Sequence, residues 1–325
     1  MTVSVIIPTF KRIEETLKVI RLLFASKAIE KFALEVIVAD STPNKELRLA
    51  LKKEFKDRIL YVRPQLPGIA SNKNAGARAA HGEIVIFCDS DMEVEEDTIA
   101  NTVISLEKYK TAGALGGQVF WRGGKRDGTL DRPRPEDRRE NFNETVYAEA
   151  IYSRYLATYK KVFLDVGGYD EKVFNMRGEG SDLSIRYWRA GYPLVFDDSI
   201  KVHHVHDAPD SAALRISHPE RGIAKDLLLL AYKYDMLDKD YENFAKTVTA
   251  NFREFGEESH FRIIQGIGSF LDFITEMKPK IDEEKKVMKS VYDFKFLEVF
   301  SDKDLLQKCL SNAEELLSSA RKPVL

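Results

Sequence analysis

Residues 83–91 read Glu-Ile-Val-Ile-Phe-Cys-Asp-Ser-Asp, an apolar run that ends directly in two aspartates one residue apart. Working outward, the same short β-branched texture recurs at Val3–Ile7, Leu34–Ala39 and Ile59–Val62. Between these runs, apolar residues take helical spacing near Ile13–Ala25, Lys45–Phe55 and Ile69–Ala80, the last opened by Pro67-Gly68. Strands this short and continuously apolar suit a sheet buried on both faces, which means parallel strands with helices crossing between them. The expected fold class is α/β: a doubly wound, mixed but mainly parallel sheet flanked by helices. Ligands of such sheets lie beyond the carboxyl ends of the strands, which is where Asp89 and Asp91 fall.

After the acidic pair the pattern changes. A helix is expected near Glu95–Tyr109, a strand at Ala114–Phe120, a helix at Asp182–Ala190 stopped by Gly191, and strands at Leu194–Phe196 and Ile200–His204. Between them runs a polar segment, Arg122–Asn143, with seven basic and four acidic residues from Arg122 to Arg139. Its two readings are a loop that closes over an anionic ligand or grips an anionic acceptor, and a solvated loop. From about Ser211 the texture is almost wholly helical. The chain therefore divides into residues 1–210, an α/β domain, and 211–325, a helical C-terminal appendage that would cover the binding site, form a homodimer or rest on a membrane surface, the last least in keeping with its core-facing apolar positions.

Composition excludes several classes. A formal net charge of -2 gives no global attraction to nucleic acid or anionic membrane. No stretch approaches the ~20 apolar residues of a membrane span, and the N-terminus lacks the basic-then-apolar order of a signal peptide. A cytoplasmic location is expected. Of the two cysteines, Cys88 lies inside an apolar run and reads as a small core residue, far in sequence from Cys309.

The aspartates of Cys88-Asp89-Ser90-Asp91 offer hard oxygens to a divalent cation, and a cation there would neutralise charge on a departing diphosphate; the plainer reading is a polar turn. Pro8-Thr9 closes the first strand and is followed by Arg12, and Asp40 ends the second strand, where it would accept hydrogen bonds from a base or ribose or cap the next helix. In Val202-His203-His204-Val205-His206, strand alternation places His204 and His206 on one face and His203 on the other. A neutral imidazole nitrogen suits Mn²⁺ better than Mg²⁺, and the plainer reading of these histidines is an exposed polar strand end. His81, His218 and His260 lack such a context and read as surface residues.

Taken in order, these pieces resemble the family 2 glycosyltransferases of the GT-A fold. The resemblance is carried by Val-Ile-Ile-Pro-Thr-Phe-Lys-Arg (5–12), Val-Ile-Val-Ala-Asp-Ser (36–41), the Gly68-x-Ala70-x-Asn72-Lys73-Asn74-x-Gly76 run and Phe87-Cys88-Asp89-Ser90-Asp91. It continues through Phe163–Glu171 and Gly178–Arg186 to Gly191-Tyr192, and covers roughly residues 3 to 206. It implies a GT-A type sheet and a UDP- or GDP-sugar donor. Pro8, Thr9 and Arg12 would line the nucleotide pocket, with Asp40 on the base. Asn72, Lys73 and Asn74 would lie by the ribose or diphosphate. Asp91 would ligate the metal directly, Asp89 would sit nearer the ribose or a metal-bound water, and His204 or His206 would complete the shell.

One position departs from the family pattern. The family usually carries Glu-Asp before its x-Asp-Leu-x-x-Arg helix, and that aspartate is the general base of inverting members; here the pair is Glu179-Gly180. The base therefore falls to Asp182 or Glu179, Asp182 being favoured because it keeps the helix register. The implied reaction is transfer of a sugar to an acceptor hydroxyl by direct displacement. Its rivals are a retaining transferase, a non-catalytic nucleotide-sugar-binding protein and a sugar-phosphate nucleotidyltransferase. The last is disfavoured because residues 8–12 lack the glycine of a phosphate loop.

Overall fold

The structure, a computed structural model, describes residues 1–110, 112–121, 146–148, 150–151, 153–176 and 178–205, together with Leu230, Lys233 and Tyr234. The Arg122–Asn143 segment, His206 and the helical reading of 211–325, those three residues apart, lie outside the described residues, as does the boundary set at residue 210.

The first half alternates as its sequence dictates: β1 (Thr2–Thr9), α1 (Ile13–Ala25), α2 (Ala28–Lys31), β2 (Ala33–Asp40), α3 (Glu46–Phe55), β3 (Ile59–Val62), α4 (Ile69–Ala79) and β4 (Ile84–Cys88). There follow β5 (Met92–Val94), α5 (Thr98–Lys108), β6 (Ala114–Trp121), β7 (Val146–Tyr147), β8 (Tyr155–Tyr159), α6 (Lys160–Asp165), α7 (Glu179–Arg189) and β9 (Leu194–His204). Among the described residues the strands form one sheet in the order β3-β2-β1-β4-β8-β6-β9-β5, with β7 also on β9. Strands β3, β2, β1 and β4 are mutually parallel, and β6 is parallel to β9. Strand β8 runs antiparallel between β4 and β6 and joins the two halves. The sheet is thus mixed and mainly parallel, as expected, although neither β8 nor β5 announces itself in the sequence.

Burial explains why the central strands lack polar alternation. Val3, Val5 and Ile7 pack on one face with Leu17, Ile20 and Leu23 of α1, Leu51 of α3 and Val103 of α5. Ile6, Val85 and Phe87 point the other way, into a second core with Ala70 and Ala77 of α4, Phe163 of α6 and Trp188 of α7. Both phases of the two-residue repeat are therefore apolar. Cys88 is fully buried in the first core, and burial pushes its thiol well above the usual range. No helix among the described residues is long and apolar enough to cross a membrane.

The two strands expected at 194–196 and 200–204 are one strand, β9, with a register shift. Gly117 pairs with Asp197 but Gln118 pairs with Lys201, so residues 198–200 bulge out of the ladder. Asp197 Oδ1 accepts the Ser199 N–H at 2.9 Å, a local turn that reads as a break in the sequence. A Cβ on Gly117 would collide with the Ile200 backbone, so the bulge sits directly over that glycine.

Helix α4 lies close on β1, because a Cβ at Gly76 would overlap the Ile6 side chain. Gly76→Val is expected to destabilise the fold by about 2 kcal/mol through overpacking, lowering Tm by roughly 4–8 °C. Thermal denaturation followed by circular dichroism checks this; an unchanged Tm would mean that α4 is not seated there.

Candidate functional site

Because β1, β2 and β4 are parallel, their carboxyl ends share one edge, with Thr9 paired to Asp40 across β1 and β2. Beyond that edge lie the Arg12 loop, the first turns of α4, and Asp89-Ser90-Asp91. The Asp89 N–H donates to Arg154 O at 2.8 Å, extending the β4–β8 pairing by a residue and drawing Ser153 in beside the acidic pair.

Each aspartate has its own counter-charge. Asp91 is 7% exposed, and its Oδ2 accepts from Arg12 Nη1 and stands 3.4 Å from His204 Nε2. His204 is brought there by β5 and β9, whose register sets Met92 opposite it, while the Val205 N–H donates to Asp91 O at 3.0 Å. Burial pushes the Asp91 carboxyl up, but His204 and the Arg12 guanidinium outweigh it and hold the group well below the usual carboxylate range. Asp89 Oδ1 lies 2.9 Å from Lys73 Nζ, at an angle that leaves the oxygen without a formal hydrogen bond. Burial raises the Asp89 carboxyl, Lys73 only partly offsetting it and the Asp91 charge adding to it. His203, on the opposite face, pairs with Glu95 at 2.8 Å and stacks on Phe120.

Lys73 is not the solvated helix residue that its sequence position allows. It is wholly buried, donates to Ser153 O at 2.5 Å, and sits 5.6 Å from the centre of the Tyr169 ring. The Ser153 hydroxyl donates in turn to Glu179, the first residue of α7. Tyr169 packs on Phe87 and Phe163, and its buried hydroxyl has no hydrogen-bond partner among the described residues. Burial, with the Glu179 charge next, keeps that phenol neutral. Asn72 donates to Thr9 O at 3.1 Å and Ser41 Oγ at 3.3 Å, while its buried Oδ1 has no partner among the described residues. An unmet buried acceptor costs about 1–3 kcal/mol, so this one is suited to a ligand hydroxyl or N–H.

Several of the expected site residues are engaged within the fold. Asp182, favoured as the base, has no exposed surface: Oδ2 accepts Arg186 Nε and Nη2 at 2.9 and 2.7 Å, and Oδ1 accepts Tyr234 OH at 2.7 Å and faces Lys233 Nζ at 2.8 Å. Both of its oxygens are thus engaged by cations and a hydroxyl inside the fold. Asn74, expected at the donor, is turned away: its amide donates to Tyr169 O and Glu171 Oε1 and its Oδ1 accepts the Tyr169 N–H. Residues at i, i+1 and i+2 of a helix do not share a face, so Asn72, Lys73 and Asn74 diverge. The Thr9 hydroxyl bonds Thr16 at 3.0 Å, inside the fold. Pro8 is buried within β1, opposite Ala39. Asp40 is fully buried and holds the Thr42 N–H at 2.7 Å and the Tyr61 hydroxyl at 2.8 Å. Asp40 does not cap the next helix, whose N-cap position is Lys45; just before it, Asn44 accepts the Glu46 N–H at 3.2 Å.

The sequence reading missed Ser153, the unmet Tyr169 hydroxyl, Lys233 and Tyr234. Tyr169 lies in a motif that was noted; the other three carry no spacing signal, because tertiary pairing alone brings them in. A separate cavity of about 480 Å³, lined by Asn74, Phe163, the 164–172 segment, Arg186 and Lys233, includes none of Arg12, Asp89, Asp91 or His204.

The family described as "Glycosyl transferase family 2" matches residues 4–167, half of the chain. The chain belongs to glycosyl transferase family 2. Among curated relatives of this family 2 chain is N-acetylgalactosaminyltransferase 7 of Drosophila melanogaster, 27% identical over 199 residues, which are 53% of this chain and 34% of that protein. The chain thus spans about a third of the length of that relative. Among solved structures, GalNAc-T7 with UDP, GalNAc and Mn²⁺ aligns with TM-score 0.55 at 19% identity, covering 63% of this chain and 43% of that one. The mannosyltransferase PcManGT from Pyrobaculum calidifontis, in complex with GDP-Man and Mn²⁺, aligns with TM-score 0.54 at 15% identity, covering 98% and 88%. These likenesses establish the GT-A fold.

The buried ion pairs of Asp182 carry a pH signature. Burial raises its carboxyl, but Arg186 and Lys233 overcome this and leave it depressed. A depressed carboxylate stabilises the fold fully at neutral pH and loses that contribution as pH falls below the ordinary aspartate range, about 4. Asp182→Asn is expected to cost about 3 kcal/mol or more at pH 7 and distinctly less near pH 3, read as the Tm gap between the two proteins. Equal gaps would mean that Asp182 is not ionised in the folded state.

Proposed function

We propose that this chain transfers a sugar from a UDP- or GDP-sugar to an acceptor hydroxyl with the help of a divalent cation. The observation that carries the reading is the paired charge cluster beyond the strand ends, Arg12–Asp91–His204 and Lys73–Asp89, in a family 2 chain. Asp91 and His204 already stand side by side as oxygen and nitrogen donors, which suits Mn²⁺ above Mg²⁺; Mn²⁺ in both solved neighbours supports the same choice. No group of three ligating side chains converges among the described residues. Asp91, His204 and, through water, Asp89 would therefore hold the ion together with diphosphate oxygens. When bound, the cation supplies charge neutralisation to the departing nucleoside diphosphate.

The protein's own groups divide the remaining work. Arg12 donates to the Asp91 oxygen that a cation would take, and with a cation held there its guanidinium would be available to the diphosphate. Lys73 holds Asp89 in place. Asn72 offers its unmet Oδ1 to the ribose or base. Pro8, Thr9 and Asp40 support that pocket from beneath. Glu179 takes the acceptor hydroxyl's proton as the oxygen attacks the anomeric carbon and the bond to the diphosphate breaks, inverting the configuration.

Gly180 fits this assignment. A Cβ there would stand 3.2 Å from Ser153 N, tighter than ordinary packing, because α7 is pressed against the segment before β8. Ser184 Oγ accepts the Ile151 N–H at 3.1 Å in the same contact. The family's usual base position is thus filled by backbone, and Glu179 is the carboxylate left beside Asp89. A second reading, retention of configuration, is favoured by one observation: Glu179 already accepts a bond from Ser153.

Two measurements test the proposal. With saturating donor and Mn²⁺, Tm should rise with either UDP- or GDP-sugars, by about 3 kcal/mol of stabilisation at a hundredfold excess over Kd. Asp91→Ala should abolish the metal-dependent part; an undiminished shift would remove Asp91 from the metal site. Glu179→Gln should lower kcat by about a hundredfold or more while leaving donor affinity intact, and NMR of the product anomer should show inversion. Full turnover in that variant with a retained anomer would establish the second reading.

A further inference from the structure

Lys233 lies far beyond the last strand in sequence, yet it is 2% exposed and inserted between two elements of the α/β fold. Its Nζ stands 2.7 Å from Asp170 Oδ2 and 2.8 Å from Asp182 Oδ1, and 5.5 Å from the centre of the Phe174 ring. Tyr234 is equally buried, donates to Asp182 Oδ1, and lies under the Arg189 guanidinium. The Tyr234 N–H donates to Leu230 O at 3.0 Å, one helical turn, and Leu230 is buried as well. Among the described residues, two carboxylates, Asp170 and Asp182, thus meet two cations, Arg186 and Lys233. Removing Lys233 would take one positive charge from this buried group, and a low-dielectric interior tolerates unpaired charge poorly.

What Lys233 joins is informative. Asp170 follows Tyr169 directly and caps the turn after it, its Oδ1 accepting the Lys172 and Val173 N–H groups at 3.0 Å each. Asp182 lies one turn along α7 from Glu179, so its side chain sets where the first turn of that helix rests. Lys233 therefore bridges the two segments that deliver the Tyr169 hydroxyl and the Glu179 carboxylate to the Lys73–Asp89 pair. Asp170, Asp182, Lys233 and Tyr234 all fall outside the span 4–167 that the family match covers.

We infer that Lys233 and Tyr234 are positioning residues, a latch from the C-terminal region that fixes α7, and with it Glu179, against Ser153 and Lys73. The inference rests on Glu179 being the base. The latch holds the glutamate in reach of an acceptor and does not touch the donor side, where Asp91, His204 and Arg12 lie. Its loss should therefore appear in turnover and not in donor binding, since a small misplacement of a reacting group costs rate steeply.

The test uses the full chain with Tyr234→Phe, which removes one hydroxyl, and Lys233→Met, which strips the bridge. Backbone amide exchange in 179–189 is measured by mass spectrometry beside kcat, donor KM and Tm. Exchange in α7 should quicken several-fold in Tyr234→Phe, with kcat reduced about tenfold and donor KM changed less than twofold. Lys233→Met should do both more strongly; if it does not fold, Tyr234→Phe decides alone. Unaltered α7 exchange in Tyr234→Phe would overturn the latch. Faster exchange with unchanged kcat, or with KM rising as kcat falls, would overturn the positioning role. Glu179→Gln keeps the two readings apart: if that variant turns over normally, the base assignment fails, while the exchange data still judge the latch.

Discussion

Asp89 and Asp91 leave β4 two residues apart in a setting largely screened from water, and like charges so placed must each be given a partner. The sheet is arranged to do this from three directions. The loop after β1 supplies Arg12, the inner face of α4 supplies Lys73, and the far end of β9 supplies His204. Of these elements only α4 adjoins β4 in sequence, so the acidic pair takes this form only when the loop after β1 and the distant strand β9 are also in place. The outcome is two carboxylates with opposite tendencies, Asp91 held ionised and Asp89 pushed toward its neutral form. Adjacent groups driven apart in this way are the arrangement from which a site can bind a cation at one position and hydrogen-bond at the next.

How far the sequence discloses this depends on what kind of signal each part leaves. Strands β1 to β4 and their helices are legible because burial on both faces forces continuous apolar runs. Asp89, Asp91 and His204 are legible because strand ends and strand alternation place them. Strand β8 is not, since Tyr155–Tyr159 is only five residues long, lacks the β-branched run of the other strands, and gains its place by pairing between β4 and β6. The three neighbouring residues Asn72, Lys73 and Asn74 look like one motif in a line of text but fan out around a helix. Asp182 differs for a related reason: a carboxylate in the correct helical register is read as available, yet Arg186 one turn on holds one oxygen and residues 233 and 234 hold the other.

Gly180 illustrates how an apparent loss can be a trade in space. Pressing α7 against residues 151–153 removes room for a side chain at that position and at the same time brings Ser153 between Lys73 and Glu179. Backbone proximity thereby links the acidic pair to the helix that carries the remaining carboxylate. A larger residue at 180 would have to push the two segments apart before it could contribute any chemistry of its own.

The bulge in β9 sets a rule of parity on the chain. Before it, Leu194 and Phe196 face the core that contains α7; after it, Ile200 and Val202 face the opposite core, so even-numbered residues have changed sides. That reversal is what turns His204 rather than His203 toward Asp91. Lengthening or shortening the 198–200 segment by two residues would preserve the phase of everything downstream, whereas a change of one would exchange the two histidines and turn the Val202 position out of its core. The segment can vary in even steps of length so long as a core residue returns at the Ile200 position, but a single-residue insertion at this turn would rewire a site several residues away.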